Sequence, residues 1–167
     1  SFLIFKPKDI VSGDFYYVNK INHQLIFAVA DCTGHGVPGG FMTILGITYL
    51  HEMVKRAENE STAMVLNYLR QRIQATFKTF GSQNINGFDI ALCAIDTHTN
   101  ILQYSGANNP IFIIRSGELI EYAATRNPIG YYPKEKEFQN NEIQLYDNDL
   151  LYLCSDGFQD QFGGEKN

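Results

Sequence analysis

The sequence predicts an α+β fold with antiparallel sheets, and three observations carry that prediction. Short apolar runs of β type open the chain, and two stretches with helical apolar spacing follow one another. From Phe88 onward the pattern returns to short strands separated by Gly, Asn and Pro turns. Strands, then adjacent helices, then a run of strands is a segregated order, unlike the alternation of a βαβ fold.

The elements follow in turn. Phe15 to Val18 and Gln24 to Ala30 read as a hairpin around Asn19–His23. A first helix is predicted from about Pro38 to Ala57, with Pro near its first turn and Phe41, Met42, Leu45, Tyr49, Met53 and Val54 on its apolar face. A second starts after Ser61, a good N-cap, and carries Val65, Leu66, Leu69, Ile73 and Phe77. Strands are then expected over Asp89–Asp96, Ile101–Gly106, Ile111–Arg115, Leu119–Tyr122, Glu142–Tyr146 and Leu150–Cys154. No repeat, low-complexity tract or linker divides the chain, so residues 1–167 read as one domain.

Composition bounds the function. At 44% hydrophobic and 19% charged the 167 residues are of globular type. A net charge of −5 without a basic cluster gives no electrostatic reason to expect nucleic acid. No apolar stretch approaches the roughly 20 residues of a membrane span, so no membrane contact is expected from this segment. Cys32, Cys93 and Cys154 are an odd number, two of them inside apolar runs, which suggests reduced thiols and a cytoplasmic setting.

The chemistry is expected from carboxylates at element edges. Asp31 ends the apolar run Leu25–Ala30 and enters a glycine-rich turn, Asp156 follows Leu150–Cys154 in Ser155-Asp156-Gly157, and Asp14 leaves the turn Ser12-Gly13. The apolar composition of the first two strands implies central, buried positions. Carboxylates gathered there would repel one another and hold their protons tightly unless a cation compensated them. No Lys or Arg stands beside Asp31 or Asp156 in the sequence, so the compensating charge is most simply a divalent metal. An all-oxygen donor set points to Mg²⁺ or Mn²⁺ and away from zinc. Two such ions would outweigh three carboxylates and draw a phosphate to an otherwise acidic protein, which fits phosphate-ester hydrolysis by metal-activated water.

Gly34-His35-Gly36-Val37-Pro38-Gly39 also matches the G-x-G-x-x-G pattern of dinucleotide sites. That match is rejected, because the parallel strand and acidic residue it requires would fall among the two helices, and Pro38 removes an N–H from the turn.

Taken together, the segments Phe5–Tyr16, Val29–Gly39, Phe88–Leu92, Asn127–Gly130 and Cys154–Gly164 resemble the bacterial serine phosphatases of the sporulation stage II protein E type. These form a branch of the metal-dependent, 2C-like phosphatase superfamily. The resemblance implies a four-layer α-β-β-α sandwich with a binuclear Mn²⁺/Mg²⁺ centre at one end. It also implies a phosphoprotein substrate such as an anti-sigma-factor antagonist, an upstream sensory domain and a dimer. Carried onto this sequence, Asp31 would bridge both ions, Cys32 would offer its carbonyl, and Asp156 would bind one ion. Asp14 would hold the site through an ion or its water, and His35 is a candidate proton donor to the leaving serine alkoxide. Asp89 is a candidate for an accessory ion, although a strand-start Asp is more often structural. Two departures stand out. Cys32 occupies a position usually held by Gly, and the segment before Asp14 offers Lys6 and Lys8 where eukaryotic relatives place a phosphate-binding Arg. The resemblance also places a further Asp on a last strand beyond Ser155-Asp156-Gly157, so the domain over 1–167 is expected to be C-terminally incomplete.

Overall fold

A computed structural model describes residues 1–7, 10–34, 36–56, 60–79 and 87–158. Strands β1 (Asp14–Ile21) and β2 (Gln24–Cys32) form a hairpin whose connection is only Asn22-His23, with Asn22 in the left-handed region at φ 53°. The loop is shorter than its polar sequence suggests. Asn19, Lys20 and Ile21 still pair with Ile26, Leu25 and Gln24, because an outer strand can carry polar side chains on its solvated positions without leaving the ladder.

Helix α1 (Gly36–Arg56) and helix α2 (Thr62–Thr79) follow, the second capped by Ser61, whose Oγ accepts the Met64 N–H at 3.4 Å. The chain then builds β3 (Phe88–Asp96), β4 (Ile101–Ala107), β5 (Ile111–Arg115), β6 (Glu118–Tyr122), β7 (Asn141–Gln144) and β8 (Leu150–Leu153). Ser116 and Gly117, both at positive φ, make the two-residue turn between β5 and β6.

These strands form two antiparallel sheets, a five-stranded one ordered β1-β2-β3-β4-β7 and a three-stranded one ordered β6-β5-β8. The period of two divides each central strand between two cores. Ala28, Ala30, Ile90 and Leu92 face the helices and pack with Leu50, Leu66, Leu69 and Ile73. Ala91, Cys93, Leu102 and Tyr104 face the other way, against Ile111 and Ile113 of the small sheet. The result is a helix layer on a β-sandwich, the expected α+β architecture; among the described residues a second helix layer is not represented.

Two details correct the sequence reading. β8 is not central: it pairs with β5 alone among the described residues and alternates between half-buried and exposed. A four-residue apolar run does not distinguish a central strand from an edge. Phe41, expected in the core, is 54% exposed; α1 turns Met42, Leu50, Met53 and Val54 inward instead, and Phe41 lies off that buried face.

Candidate metal centre

The strand register assembles the site. Asp14 stands opposite Asp31, and Asp31 opposite Asp89, so three carboxylates form one row across β1, β2 and β3. Directly opposed residues share a face. Their neighbours Phe15, Ala30 and Ile90 belong to the helix-side core, so the acidic row faces the other way, toward the gap between the sheets at one end of the sandwich. The small sheet supplies the opposite wall. Just after β8, Ser155 Oγ donates to Asp14 Oδ2 at 3.2 Å, and Asp156 opens a single 3-10 turn, Asp156–Phe158. Asp156 is thus carried by a turn beyond the strand, and it is exposed.

Close backbone packing holds the turns that bear Asp14 and Asp31. A Cβ on Gly13 would lie 2.8 Å from the Gly34 carbonyl oxygen and 3.0 Å from that of Cys32. Cys32 N–H donates to Gly13 O at 3.2 Å, and Thr33 N–H to Gly87 O at 3.0 Å. Thr43 of α1 donates its hydroxyl to the carbonyls of Ser12 and Gly13 at 3.0 and 2.9 Å. Ser12 Oγ in turn accepts the Asp14 N–H at 3.0 Å.

The electrostatics are those of crowded, uncompensated carboxylates. Burial, then the hydrogen-bonding contact with Asp156 and the charges of Asp14 and Asp156, push the Asp31 carboxyl up to about 8. Asp89 is also raised by burial and by Asp156, while a hydrogen bond from Asn108 pulls it back. Among the described residues no Lys, Arg or His makes an ion pair with any of the four. Asp31, Asp89, Asn108, Asn109, Pro110, Cys154, Ser155 and Asp156 line a cavity of about 140 Å³.

Three carboxylates lining a small cavity with Asp14 in the same row, one of them pushed up to about 8 by burial and its acidic neighbours, fit a hard divalent ion. Among the described residues no group of three or more His, Cys, Asp or Glu is already arranged to hold one. Mg²⁺ is usually bound through one or two carboxylates and keeps several waters, so a closed protein cage is not required. The Cys32 side chain is no part of such a set. It is buried with its Sγ 3.8 Å from Thr43 Oγ1, and burial raises the thiol to about 12. Only the Cys32 carbonyl remains a candidate donor. His35 lies outside the described residues, as does Lys8.

The chain matches the model of the stage II sporulation protein E (SpoIIE) family over residues 21–167. It belongs to that family. Two of its solved relatives are PP2C domains, which makes the family one of phosphatases. The chain is similar to the SiaA PP2C domain of Pseudomonas aeruginosa, with a TM-score of 0.87 and 29% identity over 99% of this chain and 64% of that one. It shares the fold of the PP2C phosphatase domain of the cell fate determinant SpoIIE from Bacillus subtilis, solved with a fragment of its regulatory domain. There the TM-score is 0.75 at 21% identity, over 89% of this chain and 42% of that one. It shares it also with RsbX, solved in complex with magnesium, at a TM-score of 0.69 and 16% identity over 92% of this chain and 71% of that one. This SpoIIE-family chain therefore spans less than two thirds of the first two. No curated protein sequence matches it.

Sequence reasoning undervalued Asp89 and missed Asn108, Asn109 and Ser155 as parts of the site. Asn108-Asn109-Pro110 carries an obvious turn signal that hides a second use. A larger depression, about 270 Å³, lies along α2 and involves Arg70, but its chemistry is spent on structure. Arg70 donates to Lys136 O and Asn67 Oδ1 at 2.6 and 3.0 Å and lies over Phe138. Its Nε is 3.3 Å from Glu135 Oε1 without hydrogen-bond alignment, an ion pair only.

Proposed function

We propose that this chain is a Mn²⁺/Mg²⁺-dependent protein phosphatase that hydrolyses phosphoserine or phosphothreonine in bacterial signalling. The observation that carries the reading is the Asp14–Asp31–Asp89 row with Asp156 facing it, where burial and acidic neighbours raise Asp31 to about 8 and, among the described residues, no cationic side chain pairs with it. Family membership supports it, and so does magnesium in the related RsbX structure.

In this reading Asp31, between Asp14 and Asp156, holds the ions, with the Cys32 carbonyl beside it. Asp14 is steadied by Ser155 and orients an ion or a water of its shell. Two divalent ions, when bound, supply an acidified water and neutralise phosphoryl oxygens. Among the described residues no Lys, Arg or His pairs with these carboxylates, so in this reading metal charge is what draws the phosphate. His35 remains the proposed proton donor to the leaving alkoxide. The substrate is a phosphoprotein, proposed from the resemblance to be an anti-sigma-factor antagonist. An upstream sensory domain, a dimer and a cytoplasmic setting belong to the same proposal.

The test is hydrolysis of a phosphoserine peptide with Mn²⁺, compared with Asp31→Asn. The expected result is a Mn²⁺-dependent rate that the variant reduces to background; equal rates would refute the reading. A second reading, a partner-binding module without turnover, is favoured by the absence of a ready-made metal set among the described residues. Calorimetric titration with Mn²⁺ separates the two, since that module would take up none.

A further inference from the structure

The row of opposed carboxylates ends where the sheet changes its means of holding them. β4 pairs with β3 as far as Ala107 opposite Ile90, and Asp89, one residue beyond, has no partner on β4. Asn108 leaves the ladder there. Its backbone turns into the left-handed region at φ 55°, and its side-chain Nδ2 donates to Asp89 Oδ1 at 2.9 Å. Where the ladder ends, the contact between the two positions is therefore made by side chains.

The loop that presents it is fixed from several sides. Asn108 N–H donates to Thr125 O at 2.9 Å, Thr125 N–H to Gly106 O at 3.0 Å, and Asn109 N–H to Ala107 O at 2.7 Å. Tyr104 donates its hydroxyl to Asn109 O at 2.8 Å. Asn108 itself is exposed, so burial does not force its amide onto Asp89. The residue type suits the task. Asn tolerates φ near +55° better than most side chains, and it offers a donor without charge. A Lys or Arg there would neutralise Asp89, whereas a second carboxylate would repel it.

We propose that Asn108 is a positioning residue of the metal centre. It holds one Asp89 oxygen so that the other faces an ion, or a water of its shell, in the cavity shared with Asp31 and Asp156. This rests on reading the site as a metal centre. Carboxylates that serve metals are themselves hydrogen-bonded, and loss of such a partner typically costs about 10–100-fold in metal affinity.

The test is Mn²⁺ titration by calorimetry of the wild-type chain, Asn108→Gly, Asp89→Asn, their double variant and Asp31→Asn. Gly accepts the left-handed backbone and removes only the amide, so the melting temperature of Asn108→Gly should stay within a few degrees of wild type. The proposal expects Mn²⁺ affinity to fall about tenfold or more in Asn108→Gly, with no further fall when the change is added to Asp89→Asn. Unchanged affinity in Asn108→Gly, or an equal fall in the Asp89→Asn background, overturns the positioning role. The Asp31→Asn arm keeps the two readings apart. If it abolishes Mn²⁺ uptake while Asn108→Gly does not alter it, the metal centre stands and the positioning role fails. If the wild-type chain takes up no Mn²⁺, both fail.

Discussion

Asp14 and Asp31 stand directly opposite each other on adjacent antiparallel strands, the closest side-chain relationship a sheet provides, and like charges there are destabilising. The sheet tolerates the pair because Asp31 keeps its proton up to about 8. The sign follows from linkage. A carboxyl whose folded value lies above its unfolded value, here 3.8, contributes stability that is fully present below about pH 4 and is lost as pH rises toward about 8. In metal-free protein Asp31→Asn should therefore be stabilising, most at pH 8 and not at pH 4. Discounted for partial exposure, the gain at pH 8 is about 2 kcal/mol, or roughly 5 °C in melting temperature. Thermal melts across this range check it, and a variant gain that grew toward acid pH would contradict the argument. With Mn²⁺ added the order should reverse, since only the wild type gains from binding.

Ser155 provides a second, smaller prediction. Its hydroxyl ties the loop after β8 to the first residue of β1 across the gap between the sheets. Ser155→Ala should cost about 0.5–1.5 kcal/mol of stability and weaken Mn²⁺ binding, because Asp14 is then free to turn away. Denaturant unfolding and calorimetry measure the two effects. Loss of stability with Mn²⁺ affinity unchanged would make the bond purely structural.

The site residues legible from sequence alone are those whose local pattern is unusual. Asp31 was legible because a charge at the end of six apolar residues, before a glycine turn, has few structural uses; Asp156 repeats that pattern, and Asp14 stands at the other kind of edge, between a Ser-Gly turn and a strand. Asp89 was not. It looks like an ordinary strand start, and its value comes from standing opposite Asp31, a register fixed between strands separated by two helices. Asn108 lies in an Asn-Asn-Pro stretch whose sequence signals only a turn; the side-chain direction shows its second partner, Asp89. The position of β8 at an edge and the exposure of Phe41 were illegible for one reason. Both depend on what lies across from the element, and hydrophobic periodicity reports only the element itself.

Helix α1 offers a matched pair of glycines. A Cβ at Gly39 would lie 2.5 Å from the Gly34 carbonyl oxygen, in the turn that follows Asp31. A Cβ at Gly46 would instead meet the Phe15 ring at 3.0 Å and the Phe88 ring at 3.4 Å. Both substitutions gain about 1 kcal/mol in helix propensity. Rings can shift by a few tenths of an ångström; a carbonyl locked in a turn cannot without moving that turn. Gly39→Ala should therefore cost about 1–3 kcal/mol as overpacking and weaken Mn²⁺ binding. Gly46→Ala should lie within about 1 kcal/mol of wild type and leave binding intact. Equal effects would show that the seat of α1 on the Asp31 turn does not matter to the site.

Cys32 sits next to Asp31, where a nucleophilic thiol would be well placed for phosphate chemistry of another kind. The structure argues against that use. The thiol is 3% exposed, burial raises it to about 12, and the neighbouring Asp31 and Asp14 charges oppose thiolate formation further. At pH 7–8 it is protonated and packed as a small apolar group beside Thr43. Cys32→Ala should accordingly leave the proposed Mn²⁺-dependent activity within about threefold of wild type, with a stability cost of about 1–2 kcal/mol for the lost packing. Iodoacetamide should fail to inactivate the native protein at neutral pH. A rate loss of a hundredfold or more in a folded Cys32→Ala variant would assign the side chain a chemical role and remove the carbonyl-only reading of this position.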